Sequence, residues 1–394
     1  MQLFTNVFLA ALSILPLLVA AKKGDAVPNS YIVVLNDDIS PSAFDAHRAW
    51  ANDLHSSSLA KRGDHGLAGL RHTFNMKKLK GYSGSFDNET IAEISGRPEV
   101  AYVEQDRVVE LDALITQISA PSWGLGRISS RARGSSNYYY DSTAGAGVTV
   151  YVIDTGILTT HNEFGGRATF GYNAVDSSNT DGNGHGTHVS GTIGGTTYGV
   201  AKKVNLVAVK VLDSSGSGTN SGVIAGIQWA SANSAGKKAV ANMSLGGSYS
   251  SALNSAVSSA VSNGVTFVVA AGNSNANAGN FSPASAAGAI TVGATTNTDA
   301  RASYSNYGSV LDVFAPGSSI TSSYIGSNSA TAVLSGTSMA SPHVAGLAAY
   351  LIALEGLRSP SAVLSRINSL ASTGYVSSPG PGSPNRLIYN NSGK

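Results

Sequence analysis

The chain has 394 residues, long enough for one large domain plus further segments, and its 25 Lys and Arg against 23 Asp and Glu leave a formal charge of +2. So even a balance, without a block of like charge, speaks against a dedicated nucleic-acid binder and against a charged interaction tail. Cysteine is absent, which excludes disulfides, thiol nucleophiles, zinc–thiolate sites and iron–sulfur clusters.

The first element is an apolar run from Val7 to Ala21, followed at once by Lys22-Lys23-Gly24-Asp25. It falls short of the ~20 residues that span a bilayer. With small residues at Ala20 and Ala21 it fits a secretory signal peptide over 1–21. The product is then expected to be secreted and extracellular. A secreted chain without cysteine must take its stability from a large core, to which bound metal could add.

Charge density changes along the chain. From Lys22 to Asp112, 25 of 91 residues are charged; from Ala113 to Lys394, 23 of 282 are. Such a step predicts two units, 22–112 and 113–394. In the first, Ser30–Leu35 is a predicted strand and Ala43–Leu59 a helix through Phe44, Trp50 and Leu54. Strands are expected near His72–Met76 and Gly81–Phe86, then a short helix at Glu89–Ser95 and a strand at Val100–Val109. The order β-α-β-β-α-β is the split, ferredoxin-like α+β arrangement.

In the second unit, predicted strands at Val148–Ile153, Leu206–Val211, Ala239–Leu245, Val265–Ala271, Ala289–Ala294 and Val310–Phe314 alternate with helices. The helices are Ser221–Ala232, Ala252–Ser262 and Ser338–Leu354, the second stopped by Asn263-Gly264. Continuous apolar strands alternating with helices predict an α/β fold, a mostly parallel central sheet covered on both faces.

Three segments carry chemistry. Asp154 closes the run Val148-Thr-Val-Tyr-Val-Ile-Asp154-Thr155-Gly156, at the carboxyl end of a buried strand, where open α/β sheets place ligands. Alone, such an Asp is as readily a turn cap. Asp-Thr-Gly also occurs in aspartic proteases, but those need two such carboxylates, and the motif is not repeated here. His185 and His188 lie in Gly182-Asn-Gly-His185-Gly-Thr-His188-Val-Ser-Gly191, three apart. They could share a metal, yet the Glu of the zincin pattern is missing. Ser338 lies in Gly336-Thr-Ser338-Met-Ala340-Ser-Pro-His-Val-Ala-Gly346, at the first turn of a long apolar helix. There, free N–H groups and the helix dipole favour a developing oxyanion. Ser338 taken alone is also an ordinary N-cap. Ala340 departs from the Gly-x-Ser-x-Gly elbow of α/β-hydrolases.

Together the segments supply a serine nucleophile, a histidine base and a carboxylate to orient it, in the order Asp…His…Ser. They resemble the signatures of the subtilisin-like serine proteases, and the stretch from Ala120-Pro-Ser-Trp-Gly-Leu125 to Leu387-Ile-Tyr-Asn-Asn391 is most similar to the proteinase K branch of fungal extracellular alkaline proteases. The first unit resembles the inhibitory propeptide of that group.

The resemblance implies a serine endopeptidase acting through an acyl-enzyme, with Asp154, His185 and Ser338 as catalytic residues and Asn273 with Ser338 forming the oxyanion hole. It implies substrate strands at Gly216, Ser217, Gly218 and at Ser244, Leu245, Gly246. The primary pocket, walled by Leu245, Gly246, Ala270, Ala271 and Gly272, holds no charged residue and so suits apolar or aromatic side chains. It further implies structural calcium on the Asp312 carboxylate and the Ala287 and Ala289 carbonyls; at a second family site near the C-terminus, Tyr375 or a neighbour stands where an Asp is expected. Sequons stand at Asn88, Asn242, Asn280 and Asn390. Asn242 falls in the substrate strand and is expected to be bare, while Asn88, Asn280 and Asn390 are candidates for glycosylation. The expected partners are protein and peptide substrates and the chain's own propeptide as intramolecular inhibitor, with no nucleic acid, no membrane in the mature form, and a monomeric state. The competing readings are a catalytically dead binding homologue, opposed by the intact triad, and an esterase, opposed by the missing elbow.

Overall fold

The computed structural model describes residues 25–62, 67–108 and 114–394. The signal peptide expected over 1–21 and the boundary expected between the two units at 112–113 lie outside them. The chain divides between residues 111 and 112 into two compact units.

In the first unit, a four-stranded antiparallel sheet has the spatial order Gly69–Met76, Leu79–Ser85, Ala26–Leu35, Val100–Arg107. Helices Pro41–Arg62 and Asn88–Ser95 complete the predicted ferredoxin-like order. The second helix starts where Asp87 accepts hydrogen bonds from the N–H groups of Glu89 and Thr90, an N-cap that ends the preceding extended segment. Val33, Leu35, Phe44, Tyr82, Phe86 and Ile94 form the core.

The second unit is built on a nine-stranded sheet. Its spatial order is Ser372–Thr373, Arg386–Leu387, Val313–Pro316, Ile290–Thr295, Thr266–Ala270, Lys238–Met243, Val148–Asp154, Asn205–Lys210, Ala168–Asn173. All pairings are parallel except that of the first two strands. Side chains alternate across a strand, and here both faces are covered. Val148, Val150 and Val152 pack in one core with Val344, Leu347 and Leu351. Tyr151 and Ile153 pack in another with Val223, Ile227, Leu253 and Val257. Continuous apolar strands follow from this two-sided burial.

Helix Thr337–Glu355 is long and apolar enough to cross a membrane, but it is a buried core helix. Gly356, with φ 68°, stops it.

The structure adds elements that periodicity did not reveal: helices Trp123–Ser129, His185–Gly194 and Pro360–Leu370 and the edge strand Ala168–Asn173. The first two are glycine-rich and short, so helix propensity argues against them; burial among neighbours holds them instead. The expected strand Val310–Phe314 begins only at Val313, because Leu311 N–H turns back to the Gly308 carbonyl (3.2 Å).

Candidate active site

The strand Val148–Asp154 lies in the interior of the sheet, and its carboxyl end delivers Asp154, fully buried. Asp154 Oδ1 accepts the Thr155 N–H (2.8 Å) and lies 2.7 Å from His185 Nδ1. His185 opens the helix His185–Gly194. Gly184 precedes it at φ 98°, where a Cβ would stand 2.5 Å from the Tyr324 ring; only glycine suits that backbone and that space. The His185 side chain keeps about a quarter of its surface open to the cleft.

Burial pulls the imidazole pKa of His185 down. The Asp154 charge and hydrogen bond, with help from Asp181, outweigh this and raise it above the ordinary 6.5. His188 serves a different purpose. It is fully buried, its Nε2 donates to the Ile320 carbonyl (3.0 Å), and desolvation pushes its pKa down to about 4. The shared-metal alternative for these two histidines therefore has no support. Among the described residues no three His, Asp or Glu gather in a way that would hold a metal.

Ser338 is the second residue of helix Thr337–Glu355, so its N–H precedes the first intrahelical acceptor. In this structure its hydroxyl donates to the Ser244 carbonyl (3.1 Å), and no hydrogen bond joins it to His185 among the described residues. Ser244 Oγ in turn donates to the Ser338 carbonyl (2.9 Å). Asn273 Oδ1 accepts both the N–H (2.8 Å) and the hydroxyl (2.9 Å) of Thr337. A Cβ on Gly336 would lie 3.6 Å from Asn273 Nδ2 and 3.5 Å from Ser338 N. Two N–H donors thus border one small space that glycine leaves open.

Two cavities adjoin at Leu245 and Gly246. One, of about 500 Å³, runs past His185, Gly216, Ser217, Gly218 and Ser244. The other, of about 380 Å³, is walled by Ala270, Ala271, Gly272, Asn273 and Ser338. The residues named from the sequence for both substrate strands and for the pocket therefore line one continuous cleft. Phe281 and Ala284, which the sequence reading missed, add apolar wall to the second cavity. Asn306, also missed, donates to the Ala271 carbonyl and accepts the Ser274 and Ala276 N–H groups, shaping the loop that presents Asn273. Nothing local in the sequence marks these three, since each acts across the fold.

Asp312 precedes the strand Val313–Pro316, and its Oδ2 accepts the Thr291 N–H (2.9 Å). Burial pushes its carboxyl up to about 6, against the pull of that N–H and of Arg386. Ala287 and Ala289 lie on the loop entering the neighbouring strand, the former with its carbonyl accepting the Ser258 hydroxyl (2.9 Å). A carboxylate and backbone carbonyls are the kinds of oxygen donor that calcium takes.

The sequons divide by burial. Asn242 is fully buried, donating to Ser244 Oγ and accepting from Ser341 Oγ. Asn390 corrects the expectation. It too is fully buried, and its Nδ2 donates to the Tyr139 carbonyl (2.7 Å), so the nitrogen that would carry a glycan is committed to the core. Asn88 and Asn280 are exposed.

Comparison with known proteins agrees with this architecture. The subtilase family model matches residues 145–378 and the peptidase inhibitor I9 model residues 30–112. Subtilisin-like protease 9 of Arthroderma gypseum is 53% identical over 375 residues, 94% of this chain and 92% of that one. Alkaline proteinase of Hapsidospora chrysogena is 53% identical over 387 residues, 94% of each. Among solved structures, a cold-adapted subtilisin-like serine proteinase superimposes with a TM-score of 0.65 at 52% identity, covering 68% of this chain and 97% of its own. With its two matched domains and such relatives along nearly its whole length, the chain belongs to the subtilase family of serine endopeptidases and carries a peptidase inhibitor I9 propeptide domain.

Proposed function

We propose that the protein is a secreted, broad-specificity endopeptidase made as a self-processing precursor, with Asp154, His185 and Ser338 as its catalytic triad. The observation that carries this reading is the 2.7 Å contact of buried Asp154 with His185 Nδ1 at a cleft whose adjoining pocket is lined by Ser338.

On this reading the Ser338 hydroxyl turns from the Ser244 carbonyl to His185 Nε2, which takes its proton as the oxygen attacks the scissile carbonyl. Asp154 holds the tautomer with the proton on Nδ1 and stabilises the imidazolium. The carbonyl oxygen, now negative, enters the space beside Gly336 and accepts from Asn273 Nδ2 and Ser338 N–H. His185 then returns the proton to the leaving amine, and water resolves the acyl-enzyme by the same route. An extended substrate pairs with Gly216–Gly218 on one side and Ser244–Gly246 on the other, as an added β-strand. The apolar pocket of Leu245, Gly246, Ala270–Gly272, Phe281 and Ala284 favours an apolar or aromatic side chain before the cut bond.

The precursor is read as signal peptide 1–21, inhibitory propeptide 22–112 and peptidase 113–394. Secretion is supported by the apolar leader and by relatives that are fungal subtilisin-like or alkaline proteases. Subtilases commonly carry structural calcium, and Asp312 with the Ala287 and Ala289 carbonyls would hold it here as a structural staple. Glycans, where present, fall on Asn280 and, before processing, Asn88.

The test is labelling with a fluorophosphonate followed by peptide mapping, with casein digestion beside it. The adduct is expected on Ser338, and Ser338→Ala is expected to lose digestion down to the residual given by oxyanion and binding effects. An adduct on another residue, or full activity in the variant, overturns the assignment.

A further inference from the structure

We infer that Asp181 is a positioning residue for the hydrolytic site, a second buried carboxylate that, through Thr155, holds Asp154 and His185 in register. The inference rests on the triad reading above and concerns a residue outside that triad.

The helix His185–Gly194 starts without a side-chain N-cap, because Gly184 has none to offer. Its first N–H groups still need acceptors, and each finds one from a different residue. His185 N–H donates to Asn183 Oδ1 (3.2 Å), Gly186 N–H to Thr155 Oγ1 (2.9 Å), and Thr187 N–H to Asp181 Oδ2 (2.9 Å). Asp181 is almost fully buried, with 4% of its surface open. Its Oδ2 also accepts the Thr187 hydroxyl (2.6 Å). Its Oδ1 accepts the Thr155 hydroxyl (2.8 Å) and the N–H groups of Asn183 (3.0 Å) and Gly184 (2.8 Å). A buried carboxylate this well supplied with donors is held rigidly in place.

The Thr155 hydroxyl is the link. It donates to Asp181 and accepts from Gly186, while its own backbone N–H donates to Asp154 Oδ1. One residue therefore ties the strand end that carries Asp154 to the helix turn that carries His185. The two segments also interlock sterically. A Cβ on Gly186 would lie 2.1 Å from the Gly156 carbonyl, and one on Gly156 would lie 2.8 Å from the Thr180 carbonyl. Leu158 N–H closes the loop onto Thr187 Oγ1 (2.9 Å). With the backbones fixed this closely, the 2.7 Å Asp154–His185 contact has little freedom to lengthen.

Asp181 also adds negative charge near the imidazole. The groups that bear on His185 are Asp154, Asp181 and, one turn along its own helix, His188. From the neighbouring strand, Lys210 directs its Nζ to the Thr155 and Leu212 carbonyls. His343, on the packed helix, is bonded to the Met339 carbonyl, and Glu163 is engaged by the Thr197 and Tyr198 N–H groups. Removing the Asp181 charge therefore weakens imidazolium stabilisation as well as geometry.

The experiment compares Asp181→Asn with wild type, both produced as the full precursor and titrated for active sites with a fluorophosphonate. Asp181→Asn is expected to lower kcat by about 10–100-fold, the range typical of residues that orient a reacting ligand from behind. KM should stay within about twofold, and the acid midpoint of kcat/KM should move down. Wild-type kcat and midpoint per active site, even alongside a lower Tm, overturn the inference. Should Asp181→Asn fail to fold, Thr155→Val and Thr155→Ser decide. Val, lacking the bridging hydroxyl, should lose kcat, and Ser should recover most of it. Equal kinetics in the two variants overturn the proposal. If the label on wild type misses Ser338, the triad reading itself fails; a label on Ser338 with unaltered Asp181→Asn kinetics rejects Asp181 alone.

Discussion

Asn273 Oδ1 accepts two hydrogen bonds from one residue, Thr337, through its N–H and its hydroxyl. An amide whose oxygen is held in this way has only its nitrogen left to offer to the cleft. The pair thus sets the direction of the donor proposed for the oxyanion. Asn273→Ala is expected to lower kcat by about 10²–10³-fold, as loss of a preorganised donor does, with little change in KM. Thr337→Val, which keeps the N–H but removes the hydroxyl, should give a smaller loss of the same kind. Steady-state kinetics on a chromogenic peptide separate the two parameters, and a rise in KM alone would place Asn273 in ground-state binding instead.

The pH dependence follows from His185. It must be neutral to take the proton, and its pKa stands above 6.5 because Asp154 and Asp181 outweigh its desolvation. Activity is therefore expected to rise with pH through a midpoint higher than 6.5 and to stay high on the alkaline side. Asp154→Asn should lower kcat by about 10⁴-fold. A kcat/KM profile with its optimum in acid would reject His185 as the base.

Lys202 gives the peptidase unit a second link to pH. Only 9% of it is exposed. Its Nζ donates to the Thr197 carbonyl (3.1 Å) and lies 5.3 and 5.5 Å from the ring centres of Tyr138 and Tyr140. Desolvation pulls its pKa down from 10.5 to about 7, against the attraction of Glu163. Between these values the unfolded chain binds the extra proton, so this residue's contribution to stability increases as pH rises from about 7 to about 10.5. Lys202→Met should raise Tm near pH 7 and have less effect near pH 10. Melting curves of fluorophosphonate-blocked enzyme across that window test this; a benefit independent of pH would contradict it.

Calcium binding to the folded state alone stabilises it by mass action. Chelation should lower Tm and speed autolysis, and Asp312→Ala should show the lower Tm even with calcium added. Identical melting of the wild type with calcium and with chelator would exclude the site.

Processing is open to direct measurement. Residues 22–112, made separately, should inhibit the mature enzyme, and N-terminal sequencing should find a start near Ala113. A fully active protein beginning at Lys22 and unaffected by the fragment would refute the propeptide reading.

Much of this molecule is legible in its sequence because the relevant patterns are local. The strand Val148–Asp154 is a continuous apolar run, and two-sided burial requires that. The long helix behind Ser338 is apolar around its whole circumference, as a core helix must be. Gly184 and Gly186 flank His185 in the sequence, but what they approach, the Tyr324 ring and the Gly156 carbonyl, is set only by the fold. Tertiary structure decided everything that depends on pairing distant groups. Helix Trp123–Ser129 forms against its own propensity because its neighbours bury it. Asp181, within Asp-Gly-Asn-Gly, reads as an ordinary turn until Thr155 and Thr187 are brought to its oxygens. The sequons at Asn280 and Asn390 look alike as strings, yet one amide faces solvent and the other donates to Tyr139 inside the core. A short motif specifies which groups are available for chemistry; only packing determines which of them are already bonded within the protein.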